Sequence, residues 1–593
     1  MFGWHGSILR IDLSRKSVEV DTPAPALFHK YIGGRGLAGY LLKDRITRSY
    51  DDPDMPILFF TGPLVNTQSP TSGRMTIMSK SPLTGTIGDS SVGGSFGTML
   101  KKAGFDGIII SGCSDHLCGI EISDNKIQFV SAIALAGQTV SKLSRILKDK
   151  GATAIIGPAA ENGVLYSSIM IDGHYTAGRM GLGLNLASKN IKYITVKGTG
   201  KTRVADPVAL KNASEDIFRL VSASPALMGE YGISKFGTGA LYDLMDARHM
   251  MPSFNFKKSR FEHAASLNAP AFHNRYTPES TGCRGCHIRC KKIAADGRPL
   301  PEFESMSHFS ALIGNPDMET VMAANQFCND HGMDTISAAS TLACYFELTD
   351  KHPATENIIA LLSDIVFQRG IGEQLGRGSA RFAEAFGFPE ASMTVKRLEL
   401  PAYDPRGAYG MALAYSVASR GGCHLRAYPI SHEILRKPVP TDRFSFAGKA
   451  RIIKLQEDVN AVADSLTACK FIFFAATLEE YAKVYSAVTG MAISGQELMK
   501  KGERICYQER IMNAQNGFTA KDDDLPARFF DVSKVIDDDT PPKPINREDF
   551  LKARASYYVV RGLNENGMPT REKAEELELI KKINIEHRTS NIE

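Results

Sequence analysis

The sequence predicts an α+β protein whose first third is β-rich and whose remainder is mainly helical. Two observations carry this. Up to Ala205–Pro207, short apolar runs and period-two alternation recur among glycine-rich turns. Beyond that point the apolar spacing changes to the helical period, with capping residues at the expected places.

The elements follow in order. Ser7–Leu13 alternates apolar and polar residues, Ser14–Lys16 turns and Val18–Val20 returns, which predicts a hairpin. Ile120–Ser123 and Ile127–Val130 flank Asp124–Asn125 and predict a second. Ile57–Phe60, Ile108–Ile110, Ala154–Ile156 and Tyr193–Val196 are short apolar runs suited to buried strands. In the second part, Asn315-Pro316-Asp317 opens a helix that Gly332 closes, and Asp334 caps the next, Thr335–Leu348. Leu478–Val488 and Gln496–Asn516 keep the helical period on either side of Gly490–Gly495. The stretch around Asp538–Pro544, rich in proline and charge, predicts a surface loop.

Length and composition exclude several classes. At 593 residues the chain is long enough for roughly three to four domains, and its 43% hydrophobic and 23% charged content suits a soluble globular enzyme. The opening MFGWHGSILRIDL is no signal peptide, and no apolar run reaches the length of a membrane span. A net charge of +5, with no basic stripe interleaved with aromatics, gives no support to nucleic-acid binding. Ten scattered cysteines are not a secreted disulfide framework, so a reducing cytoplasm is expected.

Chemistry concentrates in Cys283-x-x-Cys286-x-x-x-Cys290. Three soft thiolates this close read as ligands for zinc or an iron–sulfur cluster. The spacing runs two then three, the reverse of the usual radical-SAM order. No second ligand pair follows at zinc-finger spacing, and the local sequence does not select a fourth ligand among the other cysteines. Four glycine-rich loops, at Gly33–Gly36, Ser72–Arg74, Gly93–Gly97 and Gly178–Gly183, could bring backbone N–H groups to an anion. Three of them carry an arginine, Arg35, Arg74 and Arg179, which favours a phosphorylated cofactor. None is a Walker A loop or the dinucleotide fingerprint. Glu302-Phe303-Glu304 reads first as a solvated pair, and His424, in Arg420-Gly421-Gly422-Cys423-His424, first as a structural histidine; neither stands unaided as a catalytic claim.

Together these segments resemble the aldehyde:ferredoxin oxidoreductase family of tungsten-pterin enzymes. GSILRIDLSRKSVEV, YIGGRGLAGYLL, TGPLVNTQSPTSGRMTIMSKSPLTG, KAGFDGIIISG and GPAAENGVLYSSIMIDGHYTAGRMGLG carry the resemblance through the first third. CRGCHIRC, PEFES, HGMDTIS, LELPAYDPRGAYG, RGGCH and YYVVRGLNENGMPT carry it to the tail. The resemblance implies an N-terminal domain, 1–207, of two β-sheets forming a base for two pterins. Two mainly helical domains, 208–393 and 394–593, cover it. It further implies a bis-pterin tungsten or molybdenum centre, a Mg²⁺ ion bridging the pterin phosphates and a [4Fe-4S] cluster. The family's fourth cluster ligand lies in a D-x-x-G-L-C motif, matched by Asp464-Ser465-Leu466-Thr467-Ala468-Cys469, so the implied ligands are Cys283, Cys286, Cys290 and Cys469.

Other implied roles transfer position by position. Arg74 matches the arginine between cluster and pterin. Gly93, Gly94 and Arg179 match the loops around the phosphates and magnesium. Asp334 and Asp464 match carboxylates on the pterin rings, and Glu304 and His424 match an acid–base pair beside the metal. Of that pair, His424 is expected to donate to the substrate carbonyl and Glu304 to act as base, with the reverse left open.

The chain departs from the family pattern at Asn329, where the first motif usually has aspartate, and at Thr467-Ala468, where Gly-Leu is usual. Ser91 stands where asparagine is common. Ala323 and Gln326 replace an E-x-x-H pair that holds an interface metal in some relatives, so that metal is expected to be absent and the oligomeric state stays open. The implied activity is oxidation of a small aldehyde to its acid, with electrons passed to ferredoxin or a small iron–sulfur subunit. Two alternatives are a related reductase acting on an aromatic acyl-CoA and a non-catalytic iron–sulfur carrier.

Overall fold

The computed structural model describes residues 1–353, 357–531 and 543–581. Most of the Asp538–Pro544 stretch therefore lies outside the described residues. The N-terminal part forms two six-stranded sheets, and nearly all that follows is helical.

The first sheet contains β1 (Ile8–Asp12), β2 (Ser17–Asp21), β3 (Ile57–Phe60), β4 (Met75–Lys80), β5 (Ile87–Val92) and β6 (Gly107–Ser111), in the order β2-β1-β6-β3-β4-β5. The second contains β7 (Cys118–Ser123), β8 (Lys126–Ser131), β9 (Ala152–Ile156), β10 (Ile169–Ile171), β11 (Tyr175–Ala177) and β12 (Ile191–Lys197), in the order β11-β10-β9-β12-β7-β8. β1 runs parallel to β6 and β12 parallel to β7; the other pairings are antiparallel.

Alternation along β3 explains why it is apolar throughout. Ile57 and Phe59 enter a core shared with Ile120, Ile156 and Ile194 of the second sheet, whereas Leu58 and Phe60 enter a core shared with Val462, Leu466 and Ile505 of the C-terminal helices. A strand buried on both faces reads as a continuous apolar run. The two largest apolar cores each join elements from all three expected segments.

β4 and β5 lie beyond β3 and were not legible as strands. Their polar Thr76, Ser79, Asp89 and Ser90 are nevertheless buried. Asp89 accepts from Arg426, and its backbone carbonyl accepts from Arg420 Nη1 at 2.5 Å. Polar side chains are tolerated there because helical-segment partners satisfy them.

The helices begin and end at residues chosen by backbone chemistry. Asp317 accepts from the N–H groups of Glu319 and Thr320 at 3.3 and 3.0 Å and starts Met318–His331, which Gly332 ends at φ 73°. Asp334 accepts from Ile336 N at 3.0 Å and starts Thr335–Thr349. Capping boxes at Thr477/Glu480 and Ser494/Glu497 start Leu478–Thr489 and Gly495–Gln515. Among the described residues no helix is long and apolar enough to cross a membrane.

Candidate active site

A cavity of about 1270 Å³ opens beside β5 and β11, under the helical segments. Its wall contains Cys283, Cys286, Cys290, Cys469, Arg74, Gly93, Arg179, Glu304, Asn329, Asp334 and His424. Residues almost 400 positions apart are thus gathered around one space. Gly94 and Asp464, the other two expected site residues, are not in the wall.

All four cysteines lie in this wall. Cys283–Cys290 follows the short strand Glu279–Thr281, and Cys469 is placed by its N–H donating to Thr71 O at 3.0 Å. All four are free thiols. Burial pushes the Cys469 thiol up to about 11 and raises Cys286 and Cys290 as well. Ligation would remove those protons. Gly93 packs directly on this group: a Cβ there would collide with the Cys283 sulfur. Gly94, at φ 98°, sits against Asp172, whose Oδ2 accepts from Ser95 N at 2.6 Å.

Arginines line the same space. Arg74, just ahead of β4, donates to Ser91 Oγ and Ser91 O at 3.0 and 2.7 Å. Burial weighs against its charge, but the Cys469, Cys283, Asp464 and Cys290 groups hold its pKa above the usual value. Ser91 thus acts through its hydroxyl and its carbonyl together. Arg179 donates to Asp334 Oδ2, Gly422 O and Glu399 O at 3.2, 2.9 and 2.8 Å, tying the second sheet's last loop to both helical segments. Asn329 donates to Asn325 Oδ1 at 3.4 Å.

Glu304 and His424 meet at the other side. Glu304 lies in the first turn of Phe303–Phe309, and its Oε2 accepts from Ala402 N at 2.8 Å. Its Oε1 lies 3.6 Å from His424 Nε2 and has no hydrogen-bond partner; His424 Nδ1 is likewise buried and unpartnered. Burial raises the Glu304 carboxyl to about 8, against the opposing Ala402 N–H. Burial, then Arg179 and Arg420, hold the His424 imidazole well below its usual value. At neutral pH, then, Glu304 carries a proton and His424 does not. His308 closes the back of the pair, its Nδ1 2.7 Å from Glu304 O and 3.7 Å from Glu304 Oε2.

Two family profiles match this chain in tandem: the aldehyde ferredoxin oxidoreductase N-terminal domain over 8–198 and that enzyme's domains 2 and 3 over 212–579. The chain belongs to the aldehyde ferredoxin oxidoreductase family. This is an oxidoreductase family. The chain is 35% identical to the tungsten-containing aldehyde ferredoxin oxidoreductase of Thermococcus kodakarensis, covering 97% of this chain and 99% of that protein. It is 34% identical to the protein of the same description from Pyrococcus furiosus, again over 97% and 99%. Among solved structures, the active-site complex BamBC of benzoyl coenzyme A reductase superposes with a TM-score of 0.83 at 21% identity, covering 98% of this chain and 97% of that one. At that identity the likeness establishes the shared fold.

Measured against the aldehyde ferredoxin oxidoreductase pattern, the structure changes several residue-level expectations. Asp464 lies behind the wall, where its Oδ2 is held by Lys470 Nζ at 2.8 Å and Arg35 Nη1 at 3.4 Å, and its Oδ1 is buried without a partner. Arg35, read from its loop as a possible phosphate clamp, is the first turn of a helix and is fully taken up by Glu509 and Asp464. Sequence reasoning missed Tyr403, Tyr428 and Lys470, all in the cavity wall. Tyr403 stood within a recognised motif, LELPAYDPRGAYG, but nothing in its spacing marked the side chain. Arg420 stood in the motif noted for His424, and its own role was equally hidden.

Proposed function

We propose that this protein oxidises aldehydes to carboxylic acids, reversibly, with the electrons leaving through a [4Fe-4S] cluster to ferredoxin or a small iron–sulfur subunit. The observation that carries this reading is the Glu304–His424 pair: two buried groups with unpartnered polar atoms, in the wall of the same cavity as four free cysteines.

The residues fit the implied cofactors. Arg74, Arg179 and Arg420 give the cavity wall the positive charge that pterin phosphates require, and four thiols match the ligand count of a [4Fe-4S] cluster. Cys283, Cys286, Cys290 and Cys469 would hold that cluster. Arg74 would stand between cluster and pterin, Gly93 and Arg179 would serve the phosphates and their Mg²⁺, and Asn329 and Asp334 the pterin rings; Gly94 and Asp464, outside the wall, would act only through their neighbours. When bound, a tungsten or molybdenum bis-pterin supplies the two-electron redox change and the cluster supplies a one-electron relay.

The protein's own part is proton handling and orientation. Oxidation adds the elements of water to the aldehyde and releases two protons and two electrons. Protonated Glu304 is the donor to the carbonyl oxygen, and neutral His424 takes a proton from water. Burial thus favours the reverse of the assignment preferred from sequence. The Tyr403 ring lies 5.3 Å from that of His424 and helps to keep bulk water away from it. A reducing cytoplasm suits the free thiols. Anaerobic assays with several aldehydes and a viologen acceptor, alongside analysis for tungsten, molybdenum and iron, test the proposal. Turnover accompanied by tungsten or molybdenum and iron is expected; metal-loaded protein inert toward every aldehyde would refute it.

A further inference from the structure

Beyond His424 the cavity continues toward the surface between aromatic and aliphatic walls. Tyr428 lies 5.6 Å from Tyr403, Phe474 lies 5.9 Å from Tyr428, and Phe471 lies 6.1 Å from Phe474, all between ring centroids. With Tyr403 against His424, these rings form a continuous series leading outward. A second wall is one face of the helix Lys449–Leu466. Ile452, Leu455 and Val459, at steps of three and four residues, turn into the cavity, and Leu455 is 48% exposed. An apolar helix stripe ordinarily packs onto a core. Here Val459 packs on the core at one end, while Ile452 and exposed Leu455 carry the stripe into the open cavity.

The polar side chains nearest the rings are engaged within the protein. Gln456 Oε1 accepts from Tyr428 N at 2.8 Å, and its Nε2 donates to Ser431 Oγ at 2.8 Å. Asn460 Nδ2 donates to Arg426 O at 3.0 Å. Lys470 Nζ donates to Leu425 O at 2.9 Å and pairs with Asp464 at 2.8 Å. The Tyr428 hydroxyl donates to that of Tyr403 at 3.1 Å. Lys437 and Gln496, also in the wall, are exposed to solvent. A site that selects a hydroxyl, carboxylate or phosphate needs polar groups left free for it. This passage offers ring faces and aliphatic surface instead.

We propose that the passage is a specificity pocket for uncharged aryl aldehydes, with the ring between Tyr428, Phe474 and the Ile452–Val459 stripe and the carbonyl at Glu304 and His424. The proposal rests on the aldehyde reading above and narrows it. Selection comes from burying the ring and from ring–ring contact, together worth about tenfold or more over a short aliphatic aldehyde. Small hydroxylated, phosphorylated or CoA-linked substrates gain nothing from these walls.

Two measurements on anaerobically purified holoenzyme test it. The first compares kcat/KM for 3-phenylpropanal, propanal and glyceraldehyde 3-phosphate with a viologen acceptor. The second measures binding of 3-phenylpropanol, an aryl ligand without the aldehyde, by ligand-observed NMR. The expected order places 3-phenylpropanal about tenfold or more above propanal and the phosphate last. Phe474→Ala should lower the aryl-to-propanal ratio about tenfold and weaken 3-phenylpropanol binding in parallel, with Phe474→Leu between the two as the check on folding. A ratio near one, equal use of the phosphate, or a ratio untouched by Phe474→Ala overturns the proposal. Should no aldehyde react, the aldehyde reading fails and binding decides the passage alone: 3-phenylpropanol binding weakened by Phe474→Ala supports it, and no binding overturns it.

Discussion

At the scale of single residues, Glu304 decides most. Its carboxyl is raised to about 8 by burial, so it is protonated at neutral pH and loses its proton as the pH passes that value. As the donor, it predicts a kcat/KM that falls through about pH 8; as the base, it would predict a rise. Glu304→Gln should remove that limb and lower kcat about 10²–10⁴-fold, read from the pH–rate profile. The same shift predicts a stability effect. A raised carboxyl pKa favours the folded state at low pH, and that contribution is lost between the ordinary carboxyl range and about 8. Glu304→Gln should therefore gain melting temperature over the parent at pH 9 and little at pH 5.

Gly93 makes a second prediction at this scale. Its missing Cβ leaves room for the Cys283 sulfur. Gly93→Ala must displace that sulfur, so most of the protein-bound iron should be lost while the far-ultraviolet dichroism is retained. Iron analysis of the purified variant checks this. Thr467 is a residue where this chain leaves its family's pattern at some strain: it ends a helix at φ 57°, a conformation glycine adopts freely and a β-branched residue does not. Its hydroxyl accepts from Gly62 N at 3.1 Å, which offsets part of that strain and holds the turn before Cys469.

At the scale of elements, caps place the site. The helices Met318–His331 and Thr335–Thr349 are joined by Gly332–Asp334, and this joint puts both Asn329 and Asp334 in the cavity wall. Asp317 caps the first helix from an exposed position away from the site. Asp317→Ala should destabilise the protein by about 0.5–2 kcal/mol in chemical denaturation while leaving cofactor content unchanged. The capping residues and the apolar strands were legible because both signals are local: a side-chain oxygen ahead of a helical run, or an unbroken apolar stretch. β4, β5, β10 and β11 were not. β5 reads IGDSSV, and its polarity is affordable only because Arg420 and Arg426, more than 300 residues away, satisfy Asp89. No local window contains that partner.

At the scale of the whole molecule, buried ion pairs bind the C-terminal helices to the sheets. Arg35 from the N-terminal part meets Glu509 and Asp464, and Glu509 and Asp89 both meet Arg426. Burial opposes the charges, but the arginines keep the Asp89 and Glu509 carboxyls below their usual values. Breaking one partner leaves the others desolvated and unpaired. Arg35→Met should cost on the order of 3–5 kcal/mol of stability and lower cofactor retention, because Asp464 lies in the last turn of the helix that leads to Cys469. Equilibrium denaturation and metal analysis of the same preparation would show both effects.

By itself the sequence determined the order of the two kinds of architecture, most buried strands, the helix starts and stops, and the cysteine cluster, since these depend on residues close together in the chain. Its long collinear motifs also implied the family, which the profile matches established. Only the tertiary structure decided which arginines face the cavity and which are consumed in the interior. It also buried Glu304 beside His424, which raises one pKa and lowers the other, and lined the cavity with rings. Those properties depend on burial and on partners hundreds of residues away, and neither is encoded in any short stretch of the chain.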